Sequence, residues 1–255
     1  MDTRKYDELD VLIAHSNDAL GKAAADDFAS AVKTALESQA DIAVILALGS
    51  SQLTFFHSLL SRDDIEWSRI TVLHVDTYVG ISEDDPASGS WRLKNQLLDH
   101  VKPKKFLGLH GDHEPVEEEI ARYSRIVNDH QPVICVMGMG ESGHLAFNDP
   151  PADFETEDAV RAVALSEVTR RQIVNGGVFG SIDDVPFYGL TLTIKALLRP
   201  KTVLVLVPEP QKAQIVKRVL EEPVSIMRPG SILRHYSNAR LYLDPDSSAL
   251  LEPTS

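Results

Sequence analysis

Short apolar runs, each followed by a stretch with helical spacing, limit what this chain can become more than any other feature. Residues 42–48, 70–75, 133–138 and 202–207 are too short for core helices, carry β-branched residues at intervals and end on glycine or polar residues. Such runs, apolar on both faces, are predicted to be strands buried on both sides of a sheet. Helical spacing follows at 16–37, where Ser16 is placed to cap the start, and at 53–60, 89–101, 114–129, 167–175 and 211–221. A short strand is expected at 106–109, further short segments at 159–165, 188–192 and 193–198, and a last strand at 239–243 closing the sheet. This alternation predicts an α/β fold: a doubly wound, mostly parallel, Rossmann-like sheet with helices on both faces. Without an internal repeat or a long linker, residues 1–255 read as a single domain.

Composition narrows the classes of function. The formal net charge of −13 argues against nucleic acid or an anionic membrane as partner, because both need clustered Lys and Arg. It also means that an anionic ligand needs a site made locally positive against the overall field. The first residues lack the apolar core of a signal peptide, and no apolar run approaches the roughly 20 residues that span a bilayer. Cys135, the lone cysteine, lies in the run 132–137 and reads as a small core hydrophobe rather than a reactive thiol. A cytoplasmic location is expected.

In a doubly wound sheet, ligands bind at the carboxyl ends of the strands, so the residues that follow strands matter most. Gly49-Ser50-Ser51-Gln52 offers backbone N–H groups, two hydroxyls and the start of a helix, which suits an anion and equally suits a plain turn. Asp76 stands where a strand ends and is read as a proton-abstracting base or as a capping residue. The segment Gly138-Met139-Gly140-Glu141-Ser142-Gly143-His144-Leu145-Ala146-Phe147-Asn148-Asp149-Pro150-Pro151 is the most specific. Its three glycines let the backbone bend round a ligand, His144 titrates near neutrality, and Asp149 is able to orient it. Arg170, Arg171 and Lys212 stand near helix starts, against the dipole preference, where a bound anion or simple solvation would account for them. His110-Gly111-Asp112-His113 reads as a solvated turn without metal-ligand spacing. There is neither a Gly-x-Ser-x-Gly elbow nor a Gly-x-Gly-x-x-Gly fingerprint after the first strand. Tyr78 reads as a packing residue.

Together these segments resemble the glucosamine-6-phosphate deaminase (isomerase) family, within the wider group that includes 6-phosphogluconolactonase. The markers are Asp76-Thr77-Tyr78-Val79-Gly80, Asp85-Pro86-Ala87-Ser88, the stretch from Gly143 to Pro150, and Gln211-Lys212-Ala213. The resemblance runs from about residue 18 to residue 251. It implies an enzyme that opens the ring of an amino-sugar phosphate, moves a proton between C2 and C1, and releases ammonia by hydrolysis, with no metal or organic cofactor. It aligns Asp76 with the base, His144 with the ring-opening histidine, Asp149 with its carboxylate partner, and Gly49, Ser50, Ser51, Arg170 and Lys212 with the phosphate contacts. Three positions depart from the pattern: Thr77 and Ser142 stand where acids are common, and Asp149 where glutamate is usual. Glu141 either compensates beside His144 or faces solvent. A lactone hydrolase and a non-catalytic sugar-phosphate-binding regulator are the alternative readings. Family members occur as monomers and as larger assemblies, which leaves a homo-oligomer open.

Overall fold

Alternate residues of a strand point to opposite faces of its sheet, so a run that is apolar at every position needs cover on both sides. The computed structural model describes residues 1–252, and in it the apolar runs become the middle of such a sheet. An antiparallel hairpin, β1 (Asp2–Tyr6) and β2 (Leu9–Ile13), precedes helix α1 (Asn17–Leu36), whose first turn Ser16 caps by accepting from the Ala19 N–H at 3.1 Å. Strand β3 (Ile42–Leu46) leads through a 3-10 turn, Ser50–Gln52, into α2 (Leu53–Leu60). Strand β4 (Ile70–His74) runs on through Val75 into β5 (Asp76–Tyr78). Helix α3 (Gly89–Leu93) continues through a π-helical turn, Lys94–Leu98, into α4 (Asp99–Val101). Then come β6 (Lys105–Leu107), α5 (Val116–His130), β7 (Ile134–Gly138), β8 (Val160–Ala164), α6 (Glu167–Asn175), β9 (Tyr188–Leu192) and α7 (Ile194–Leu198). The chain ends with β10 (Thr202–Val207), a 3-10 turn at Pro210–Lys212, α8 (Ala213–Glu221), a 3-10 segment at Pro229–His235 and β11 (Ala239–Leu243).

The large sheet has the order β1-β2-β11-β10-β7-β3-β4-β6, parallel throughout except for the β1–β2 hairpin. Ile42, Val44, Leu46, Leu204 and Leu206 pack on one face with Phe28 of α1 and Phe55 of α2. Ala43, Ile45, Val203 and Val205 pack on the other with Tyr123 of α5, Leu197 of α7 and Val216 of α8. Cys135 is fully buried between Ile45 and Val203, and burial raises its thiol far above the ordinary range, so it is part of the core. A smaller antiparallel sheet, β5-β9-β8, lies on that second face.

One expectation needs correction. The strand at 239–243 does not close the sheet; it lies between β10 and β2, and the N-terminal hairpin forms the border. β1 (Asp-Thr-Arg-Lys-Tyr) is a largely exposed edge strand with no apolar face to betray it. The three residues of β5 are likewise too few to show a period of two.

Going through the chain, strands β4 and β6 step away from β3 to one side, and β7, β10 and β11 step away to the other. The switch point therefore falls between β3 and β7, and their carboxyl ends open a crevice. Tyr123 braces its neighbour β4: its hydroxyl takes the His74 N–H at 2.8 Å and lies 2.8 and 3.0 Å from the His74 and Leu107 carbonyls. Tyr123→Phe, which strands that buried N–H, should lower unfolding stability by about 1–3 kcal/mol in urea titrations.

Candidate active site

The crevice at the switch point is a cleft of about 510 Å³, and the segments that follow four strands meet in it. After β3, Gly49, Ser50 and Ser51 line it, and the hydroxyls of Ser50 and Ser51 make no hydrogen bond among the described residues. After β10, Lys212 enters at the end of the Pro210–Lys212 turn. It is only 4 % exposed, with no ion-pair or hydrogen-bond partner for its ammonium among the described residues. Burial lowers its pKa, while Glu141 and Glu209 oppose that shift. A buried, unpaired cation beside free hydroxyls and backbone N–H groups is what an anion requires.

Asp76 sits where the chain leaves the large sheet for the small one. Leu192 N–H, from β9, bonds the Val75 carbonyl at 2.9 Å and pins the crossing. The Asp76 carboxyl lines the cleft without a hydrogen bond or counter-ion among the described residues, and desolvation alone raises its pKa to about 7. A carboxylate left unpaired in this way is a competent proton acceptor near neutrality.

His144 hangs from the loop after β7. The bend brings its ring onto Gly140 so closely that a Cβ there would lie 1.9 Å from the imidazole Cε1, and only glycine fits. On the Nδ1 side, Ser142 Oγ lies at 2.8 Å, Asp149 Oδ1 at 3.3 Å and Thr169 Oγ1 at 3.5 Å. Asp149 is itself held from α6, by the Thr169 hydroxyl at 2.6 Å and the Ser166 N–H at 2.9 Å. The carboxylate, an acceptor, assigns the ring proton to Nδ1, with Ser142 Oγ sharing it, and leaves Nε2 as the acceptor. Burial lowers the imidazole pKa to about 4; Asp149 opposes that shift and Lys212 adds to it, so the ring is neutral at pH 7.

The structure brings Gly49, Ser50, Ser51, Asp76, Glu141, His144 and Lys212 to one cleft, with Ser142 and Asp149 supporting the histidine. It does not bring Arg170. That guanidinium donates to the carbonyls of Ile182 and Val185 at 2.6 and 3.1 Å and stacks on Phe187, 4.0 Å from the ring centroid. The loop that follows α6 draws these donors to its own carbonyls, so the side chain does not line the cleft, and its Nε is buried without a partner among the described residues. Arg171 faces solvent, paired with Glu167. Glu141 is exposed and acts on Lys212, not on His144, so it does not make up for Ser142. Tyr78 both lines the cleft and packs, its ring 5.5 Å from Phe147 and 5.3 Å from Phe179. His110 and His113 turn toward Glu119 and Glu118 of α5.

Sequence reasoning missed Thr169, Arg92 and Gln172. Thr169 is 2 % exposed, and its only sequence signal was its place in the first turn of α6, three residues after the cap Ser166.

The chain has relatives among known proteins. The chain is 31% identical over 243 residues to a glucosamine-6-phosphate deaminase from Lacticaseibacillus paracasei, covering 95% of this chain and 99% of that one. It is 30% identical over 206 residues to one from Listeria welshimeri, covering 81% and 86%. Among solved structures, a monomeric glucosamine-6-phosphate deaminase of the NagB superfamily superposes with a TM-score of 0.86 at 27% identity, over 94% of this chain and 99% of that chain. A 6-phosphogluconolactonase from Thermotoga maritima shares the fold, with a TM-score of 0.73 at 18% identity over 92% and 99%. Residues 15–242, which carry every side chain of the cleft described above, match the family of glucosamine-6-phosphate isomerases/6-phosphogluconolactonase, and the chain belongs to that family.

Proposed function

We propose that the chain is an enzyme that converts glucosamine 6-phosphate and water to fructose 6-phosphate and ammonia. The observation that carries this reading is an unpaired carboxyl with a pKa of about 7 sharing a cleft with a neutral imidazole and a buried, unpaired lysine. Relatives named for this reaction, at 30% and 31% identity, support it. Two of the supporting elements, the Gly49–Ser51 turn and Lys212, suit the phosphate and would hold the sugar so that its C2 lies against Asp76.

The neutral His144 suits ring opening. Its Nε2 accepts the proton of the anomeric hydroxyl and returns one to the ring oxygen as the C1–O bond breaks, while Asp149 and Ser142 hold Nδ1–H and stabilise the transient imidazolium. Asp76 then takes the C2 proton of the open-chain aldehyde, O1 gains a proton to give the enaminol, and Asp76 delivers its proton to C1. The amine gives up the proton that O1 gained, which leaves a C1 hydroxyl and an imine at C2, and water hydrolyses the imine to the ketose and ammonia. Each acid–base step contributes about 10²–10⁴-fold.

A coupled assay for ammonia and fructose 6-phosphate tests the reaction. Hydrolysis of 6-phosphogluconolactone without ammonia release from glucosamine 6-phosphate would overturn it. Asp76→Asn should reduce turnover by about 10²–10⁴-fold while sugar-phosphate binding stays near wild type. In the wild type, kcat/KM should rise with pH through an apparent pKa near 7 as Asp76 loses its proton.

The same shift has a sign for stability. The folded pKa of Asp76 lies above the ordinary carboxylate value of 3.8, so the folded state loses stability as pH rises from about 4 through about 7. Asp76→Asn should therefore melt above the wild type at pH 8, and the difference should vanish near pH 4. Thr169→Val, which removes the hydroxyl that holds Asp149, should lower kcat about 10-fold with little change in KM, measured in the same coupled assay.

A further inference from the structure

With Arg170 outside the cleft lining, Lys212 is the one cation on its flank of the cleft among the described residues, and it stands beside two acids. Asp76, Glu141 and Glu209 all line the cleft, in a chain whose formal charge is −13. A phosphomonoester dianion entering there would meet an excess of negative charge unless a second cation answered it.

Arg92 is that cation by placement. It lies on α3, which follows β5 on the far flank of the switch point from Lys212, and it lines the cleft half-buried. Every other arginine of the chain makes at least one hydrogen bond among the described residues. Arg92 makes no side-chain hydrogen bond or ion pair among them, so five N–H donors meet no acceptor from the protein. The helix that carries it is seated firmly. Ser88 caps it by accepting from the Ser90 N–H at 3.2 Å, and the Arg92 N–H reaches the Ser88 carbonyl at 3.1 Å. Leu93 is fully buried beneath it. Gly89 lies so close to the His74 ring that a Cβ would come within 2.4 Å of Cε1, and this draws α3 down onto the end of β4. One turn on, Gln96 also lines the cleft with a buried, unpartnered Oε1, at the π-helical turn that re-aims this face.

We propose that Arg92 and Lys212 grip the phosphate of the ligand from opposite flanks, and that Arg92 is the residue by which the cleft selects phosphorylated over unphosphorylated sugars. The proposal rests on the sugar-phosphate reading of the site but not on turnover. A guanidinium fork can hold two phosphate oxygens at once, which an ammonium cannot.

Calorimetric titration of inorganic phosphate and of glucosamine 6-phosphate into wild type, Arg92→Gln, Arg92→Lys and Arg125→Gln tests it. Arg125 is an exposed arginine of α5 and controls for the loss of one charge. Arg92→Gln should bind both ligands about 10- to 100-fold more weakly, Arg92→Lys should fall between, and Arg125→Gln should match wild type. Under turnover, KM should rise in Arg92→Gln far more than kcat falls. Equal phosphate affinity in wild type and Arg92→Gln overturns the proposal. So does an equal loss in Arg125→Gln, or a wild type that takes up no phosphate. Should Arg92→Gln fail to fold, Arg92→Lys carries the comparison, since it keeps the charge and removes only the fork. Phosphate binding that depends on Arg92, in an enzyme that releases no ammonia, would sink the deaminase reading alone.

Discussion

The site depends on β3 pairing in parallel with β4 on one side and with β7 on the other. Parallel neighbours end at the same edge, so the loops after β3, β4 and β7 are delivered to one place although they come from residues nearly a hundred positions apart. The reversal of strand order between β3 and β7 keeps the helices from closing over that place. The apolar two-sided strands that enforce the pairing are thus also what assembles the carboxyl, the imidazole and the lysine. None of the three would meet if the register of the core were lost.

Within the cleft, desolvation governs the chemistry more than charge pairing does. Burial raises Asp76 and lowers His144 and Lys212, so each is pushed toward its uncharged form. The two reacting groups are then free of strong ion pairs that would hold them in one protonation state. Asp149 keeps the histidine oriented without overcoming its burial, because its carboxylate is divided among Thr169, Ser166 and the ring. Ser142, standing where an acid is common, supplies a hydrogen bond and no charge. Together they leave the imidazole neutral and aimed.

How much of this could be read beforehand follows from what is local. Strands of the middle of the sheet were legible because burial on both faces leaves an unbroken apolar run. Helices α1, α2 and α6 were legible from their spacing, and α1 also from its cap Ser16. Asp76, His144 and the Gly49 turn were found because strand ends are predictable and the chemistry sits just after them. The direction of a long side chain is not local: Arg170 and Arg92 look alike in sequence, as arginines on helices. Only the path of residues 182–185, which offers carbonyls to Arg170, and the seating of α3 on His74, which leaves Arg92 without them, tell the two apart. The edge strand β1 was missed because it is polar and largely exposed and carries no apolar pattern, whereas its partner β2, Leu9-Asp10-Val11-Leu12-Ile13, is an inner strand whose short apolar run was passed over.

That hairpin has a consequence for how copies of the chain can meet. Both borders of the large sheet are poor templates for another strand. One is β1, five residues long and carrying Asp2, Arg4 and Lys5; the other is β6, three residues beginning with exposed Lys105. A second chain adding there would gain few main-chain bonds and would have to strip water from charged side chains. Self-association by continuing the sheet is thereby disfavoured, and crowded or partly denaturing conditions should find these borders slow to seed fibrils.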